Sequence, residues 1–350
     1  MTQTTRYASV LAKIGAERSK LISESKLKAL AESKSLIEFA AQLRDTSYQE
    51  QIARVPMPLT SRKLERAFNE NLIDTYIKLI KNSPKKAREY LSLNLLRFEI
   101  EHIKAIIKAT SAKLTPEQKT ARIYFSVEDY FKRRPLLEEA AKASSLTQTI
   151  HAFKGTDYFF ALNMGLKSFE ETGSTASFDI FVDKFFYEKL YAAYLCLPKK
   201  EQPYTNFYAS TENDGFALVT LLRGKTLNYD PNWLRLVVPQ NYFNLSKSTV
   251  EALVSAVDFE AALKIVLDSY YAKYFAKTQT PEETIEAAEK ALRKGVLQHA
   301  KSSAISETFN IGSPLAFMTQ KEVEVYNLNV LSLGVDGAMK PEEIRSMLLF

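Results

Sequence analysis

An all-α fold made of three diverged copies of one helical unit is what this sequence predicts, on three observations. Only 10 glycines are scattered through 350 residues of which 46% are apolar and 25% charged, a balance that favours packed helices over disorder. One segment recurs without a gap, running from Ser35 to Tyr48, from Ser145 to Tyr158 and from Asp258 to Tyr271. A second follows each of these, in the runs Arg97 to Lys108, Asp214 to Arg223 and Glu322 to Leu331. The nearly even spacing of the copies points to one helical unit used three times along the chain.

In the first segment a small or acidic residue (Ser35, Ser145 or Asp258) is placed to cap a short helix, because its side-chain oxygen can accept an orphan backbone N–H of the first turn. Leu36, Phe39, Ala40 and Leu43 then fall at helical spacing. A short polar stretch ending in tyrosine closes each copy. In the second segment, aligning Ile103, Leu218 and Leu328 puts Glu99, Asp214 and Glu324 in register, each four positions upstream. Long amphipathic helices are expected over Leu64 to Lys81 and Phe181 to Tyr194, carrying Tyr76 and Tyr194 in their later parts. Breaks are expected near Thr115-Pro116, Gly173 to Phe178, Asn228 to Pro239 and Thr278 to Pro281, where proline or small polar residues interrupt the period. The three units are expected at 1–120, 121–230 and 231–350.

The 47 basic residues exceed the 41 acidic ones by 6 and are spread along nearly the whole chain. Clusters such as Lys85-Lys86-Ala87-Arg88 and Lys132-Arg133-Arg134 read as solvated surface, and the spacing gives no basic face for nucleic acid. No run approaches the roughly 18 apolar residues that cross a bilayer, and the polar N-terminus lacks the core of a signal peptide. A single cysteine, Cys196, allows no internal disulfide, and its apolar neighbours suggest that it is buried.

Catalytic patterns do not emerge. His102, His151 and His299 stand alone within helical runs, and no His-Glu-x-x-His, paired cysteines or calcium-loop spacing occurs, so no metal or cofactor is expected. Leu222-Arg223-Gly224-Lys225 lacks the strand and second glycine of a phosphate cradle. Gly334 to Gly337 reads as a turn before a helix that starts at Pro341 with Glu342 and Glu343. Neighbouring carboxylates such as Glu99 and Glu101, or Glu138 and Glu139, point in different directions on a helix and read as a solvated face. The 18 tyrosines and 21 phenylalanines read as core and interface packing.

The opening stretch Tyr7 to Ile22, reading Tyr-Ala-Ser-Val-Leu-Ala-Lys-Ile-Gly-Ala-Glu-Arg-Ser-Lys-Leu-Ile, resembles the start of the V-type/A-type ATPase (ATP synthase) C-subunit family, to which the d-subunit of eukaryotic V-ATPases is related. Lys13 and Gly15 stand where that family's first helix carries arginines. Lys321 to Gly334 and Lys340-Pro-Glu-Glu-Ile-Arg345 resemble the family's closing Glu-x-Glu-x-x-Asn-Leu and Pro-Glu-Glu-Ile-Arg patterns, with Leu333-Gly334-Val335 in place of an Arg-Gly-Lys turn. Arg97 to Lys108, Leu221 to Lys225 and Asp45-Thr46-Ser47-Tyr48 resemble further family segments. The resemblance spans essentially the full length.

The resemblance implies three similar helical subdomains with pseudo-threefold symmetry forming a funnel. It also implies a non-catalytic rotor adaptor with no cofactor and no small-molecule substrate. Its partners would be the central-stalk subunits and the proteolipid ring, and its place the cytoplasmic face of the membrane, peripherally bound. Arg97, Glu99, Arg223, Lys225, Glu322, Glu324, Asn327 and Arg345 are the residues then expected near subdomain seams or the stalk socket, against the plainer reading of helix-surface charges and internal pairs. A general helical-repeat interaction scaffold is the alternative function.

Overall fold

One local device recurs at helix starts among the described residues. Ser23, Ser35, Thr60, Thr115, Ser145, Ser246 and Asp258 each accept, through the side chain, the backbone N–H three residues on, a cap that contributes about 1 kcal/mol. The caps expected at Ser35, Ser145 and Asp258 are all present. The computed structural model describes residues 3–306 and 309–350, and every regular element among them is helical.

The chain divides into two compact units, one joining Met1–Leu91 to Lys294–Phe350 and the other formed by Ser92–Arg293. The first unit opens with α1 (Gln3–Arg18), α2 (Glu24–Leu30), α3 (Leu36–Ala41), α4 (Gln49–Ala53), α5 (Ser61–Asn82) and α6 (Lys85–Leu91). The second holds α7 (Leu93–Ser111), α8 (Pro116–Thr120), α9 (Phe125–Phe131), α10 (Arg134–Lys142), α11 (Leu146–Ala152), α12 (Phe159–Thr172) and α13 (Ala176–Cys196). It continues with α14 (Gln202–Thr226), α15 (Pro231–Val237), α16 (Lys247–Ser255), α17 (Phe259–Leu267) and a 3₁₀ turn, Ala272–Tyr274. The boundary falls inside α18 (Pro281–Ser306), and α19 (Gly312–Asp336) and α20 (Pro341–Met347) return to the first unit.

Within the first unit α5 packs along α19. Leu64, Phe68, Leu72, Tyr76 and Leu79 recur at helical spacing on α5 and are all buried, and the Tyr76 hydroxyl donates to the Met318 carbonyl at 3.1 Å. Phe68 is met edge-on by Phe39 and Tyr48, with ring centroids 6.4 and 5.5 Å away. In the second unit α14 to α17 enclose a core that includes Leu218, Leu222, Leu234, Leu253, Ala262, Val266 and Tyr271.

The long helices α7, α14 and α19 end alike. Lys113, Asn228 and Ala338 take left-handed φ values of 56°, 54° and 51°. The next residue closes a six-to-one bond in each: Leu114 N–H to Ala109 O at 3.0 Å, Tyr229 N–H to Gly224 O at 2.9 Å and Met339 N–H to Gly334 O at 2.9 Å. This Schellman closure satisfies carbonyls the helix would otherwise orphan, and Pro116, Pro231 or Pro341 then starts the following helix.

Three expectations are corrected. Gly334 lies inside α19, not in a turn, and glycine is needed there because a Cβ would sit 2.6 Å from Ile344 Cγ1 of α20. The interval Asn228 to Pro239 is not simply a break: Asp230 caps Asn232 N–H at 2.8 Å, Pro231 occupies the first turn, and α15 forms. Cys196 is exposed, since it ends α13 beside the exposed Leu195 and burial resumes only at Leu197.

Candidate functional site

The tyrosines that close the three copies of the first segment are Tyr48, Tyr158 and Tyr271, and each is buried against one of the three register acids. Tyr158 donates to Glu99 Oε2 at 2.7 Å, Tyr271 lies 3.0 Å from Asp214 Oδ2, and Tyr48 donates to Glu324 Oε1 at 2.6 Å. Each acid is carried in mid-helix by α7, α14 or α19. Burial lifts the Tyr48 and Tyr158 hydroxyls well above the usual phenol range, and the neighbouring carboxylates add to it. The same two causes raise Tyr271. All three therefore stay protonated and act as donors.

Each carboxylate is also met by the connection that leads into α2, α10 or α16. Ile22 N–H donates to Glu324 Oε2 just before α2. Before α10, Arg133 Nη1 donates to Glu99 Oε2 at 2.7 Å and to the Tyr158 hydroxyl at 2.9 Å. Before α16, Phe243 N–H donates to Asp214 Oδ1 at 3.0 Å, and Asn244 N–H and Leu245 N–H donate to Oδ2 at 2.7 and 3.2 Å. Each acid thus holds a long helix to two chain segments at once, an arrangement we term a clasp.

The clasps differ in how charge is balanced. In the first unit Lys321 Nζ donates at 2.8 Å to both Glu324 Oε1 and the Tyr48 hydroxyl, and it stands 4.0 Å over the Tyr48 ring. Burial pulls that ammonium below the usual lysine range, opposed by the Glu324 charge. Arg133 does the equivalent work at Glu99. Asp214 instead takes dipoles: the three backbone donors, Asn213 Nδ2 at 3.1 Å, and Asn244 Nδ2 supporting the Tyr271 hydroxyl at 3.2 Å. Burial raises the Asp214 carboxyl despite these donors.

The eight residues picked out by the sequence fall into two sets. Glu99, Lys225, Glu324 and Asn327 are buried. Lys225 Nζ donates to the Val254 carbonyl at 2.6 Å, and Asn327 makes paired bonds to the Leu349 backbone at 2.8 and 2.9 Å. Arg97 pairs with Glu212 and stands 4.8 Å from the Phe186 ring centroid. Arg223 pairs with Glu289 at 2.8 Å on the surface, Glu322 is exposed, and Arg345 pairs with Glu32 while reaching the Lys28 carbonyl at 3.3 Å. The solvated reading of Glu99 is corrected. Glu101 faces solvent, but Glu99 is 0% exposed and is held by Tyr158 and Arg133.

Sequence reasoning places the tyrosines in register and the acids in register without joining them. It misses Arg133, Lys321 and Glu128; the first two sit at positions whose residue type differs between copies, so no repeated letter marks them. Among the described residues no group of His, Cys, Asp and Glu is arranged to hold a metal ion, and no helix is long and apolar enough to cross a membrane.

The recurring polar side chains of this all-helical protein are turned inward and bind helix to helix. The chain belongs to the ATP synthase (C/AC39) subunit family, whose model matches residues 10–347. It is 30% identical to the C-subunit of the A-type ATP synthase of Methanocaldococcus jannaschii, over 98% of this chain and 86% of that protein. It is 26% identical to the C-subunit of the A-type ATP synthase of Pyrococcus abyssi, over 98% of this chain and 90% of that protein. The corresponding protein of Methanothermobacter thermautotrophicus is 25% identical, over 92% and 82%.

Proposed function

We propose that this chain is the rotor adaptor of a V/A-type rotary ATPase, a non-catalytic component that joins the central stalk to the membrane proteolipid ring on the cytoplasmic face. Family membership and the names of the relatives support a place in such a complex. The observation that carries the adaptor role is the set of buried clasps. A part that passes torque must resist shear between its helices, and charge-assisted hydrogen bonds in a dry setting are strong and directional.

The clasps also support three copies of one unit, in a pseudo-threefold funnel. Expected near 1–120, 121–230 and 231–350, the copies are counted in this proposal from the acid-bearing helix, so that the unit begun by α19 is completed by the N-terminal residues that supply Tyr48. Partner contact is proposed for the more exposed members of the eight residues, Arg97, Arg223, Glu322 and Arg345. Glu99, Lys225, Glu324 and Asn327 act from within by fixing the helices on which those surfaces stand.

The test is purification of the tagged chain from native membranes in mild detergent, with co-purifying proteins identified by mass spectrometry. Central-stalk and proteolipid subunits are the expected partners. Their absence from membranes that contain an intact rotary ATPase would overturn the adaptor reading and favour a general helical scaffold.

A further inference from the structure

The clasp around Glu99 contains one group its counterparts do not use, the second carboxylate Glu128 of α9. Both acids are 0% exposed. Glu99 Oε2 takes Tyr158 and Arg133, but Glu99 Oε1 meets no N–H or O–H donor. Glu128 Oε1 takes the His102 Nδ1 proton at 2.6 Å, and Glu128 Oε2 likewise meets no donor. The tautomer follows from the other ring nitrogen: Tyr124 N–H donates to His102 Nε2 at 3.1 Å, which leaves the ring proton on Nδ1. The Glu128 carboxyl lies within hydrogen-bonding reach of Glu99. Two buried carboxylate oxygens without a donor are costly, and one proton between the two carboxyls relieves that cost.

Charge counting gives the same answer. Arg133 is the cation bonded to this cluster, and one carboxylate balances it. The remaining ionisable groups are directed elsewhere: Arg134 is held by Asp129 through two bonds of 2.6 and 2.5 Å, and Asp157 by Lys189. His102 is neutral in the tautomer above. Ionising both Glu99 and Glu128 would leave an uncompensated charge in the core, whereas one proton shared between the two leaves none.

We propose that Glu99 and Glu128 share a single proton, and that this acid bridge is a pH-responsive latch fastening α9 to α7. Burial pushes the Glu128 carboxyl up to about 8 against the pull of Arg133, and burial followed by the Glu128 charge raises Glu99. A carboxyl raised above its unfolded value adds stability that is complete below that unfolded value and is lost as pH rises through the folded one. The latch is therefore closed at neutral pH and opens above about pH 8.

Infrared spectra of the full chain, recorded against pH, test this directly. An un-ionised carboxylic acid band should persist at about pH 7, where ordinary carboxyls are ionised. It should vanish with a midpoint near 8, and it should be missing from Glu128→Gln. Between about pH 5 and the midpoint near 8, hydrogen-exchange protection of residues 125–131, corrected for intrinsic exchange, should fall about tenfold per pH unit in the wild type and level off above it, and it should stay flat in Glu128→Gln, whose amide can donate to Glu99 at every pH. Should the variant not fold, the wild-type titration decides alone, by whether the fall in protection levels off where the band vanishes. The absence of an acid band at about pH 7, or α9 protection independent of pH, would overturn the proposal.

Discussion

At the scale of single residues, the clasps give unequal predictions for the same substitution. Tyr48→Phe and Tyr158→Phe each remove a donor from a buried carboxylate and are expected to lower stability by about 1–3 kcal/mol. Tyr271→Phe should cost less, since Asp214 keeps the N–H groups of Phe243, Asn244 and Leu245 and the Asn213 amide. Urea denaturation of the three variants at one pH measures the order, and equal losses would argue against the donor count. Arg133→Met should be more damaging, at about 3–5 kcal/mol, because it leaves the Glu99 charge buried without its cation. Exposed Cys196 is expected to react with a maleimide in the folded protein as readily as after unfolding, and protection in the native state would contradict its placement. The roles of these residues are only partly legible in the sequence. Tyr48, Tyr158 and Tyr271 recur in register, as do Glu99, Asp214 and Glu324, yet the partner of Tyr48 lies at the far end of the chain, and one-dimensional spacing carries no information about such a pairing. Glu99 reads as solvated because an acid beside other charges on a helix looks the same in sequence whether it faces water or an arginine from another segment.

At the scale of elements, sequence signals are reliable where they act locally. Ser35, Ser145 and Asp258 cap the helices expected of them, and Pro341 starts α20, because capping depends on residues three apart or fewer. They fail where a contact between helices decides the outcome. Gly334 resembles turn glycine in sequence, but in the structure it is the gap in α19 that admits Ile344, and that requirement is set by α20. Gly334→Ala is accordingly expected to cost about 1–3 kcal/mol through overpacking. Gly15→Ala, on the exposed side of α1 with nothing within 4 Å of the added methyl group, should instead stabilise by up to about 1 kcal/mol through helix propensity. Opposite signs in thermal denaturation support this account of the two glycines, and a stabilising Gly334→Ala would refute it.

At the scale of the whole molecule, the family is shown by a match that spans 10–347 and the fold by helices throughout the described residues. The order of the motifs along the chain makes both readable in advance. How the protein serves its complex follows from its partners and is the claim most in need of a direct trial. ATP-driven ion uptake into vesicles should be compared for the rotary complex assembled with this chain, without it, and with it added back. The adaptor reading predicts that uptake is lost without the chain and restored by it while ATP hydrolysis continues, whereas uptake at an undiminished rate without the chain would contradict it.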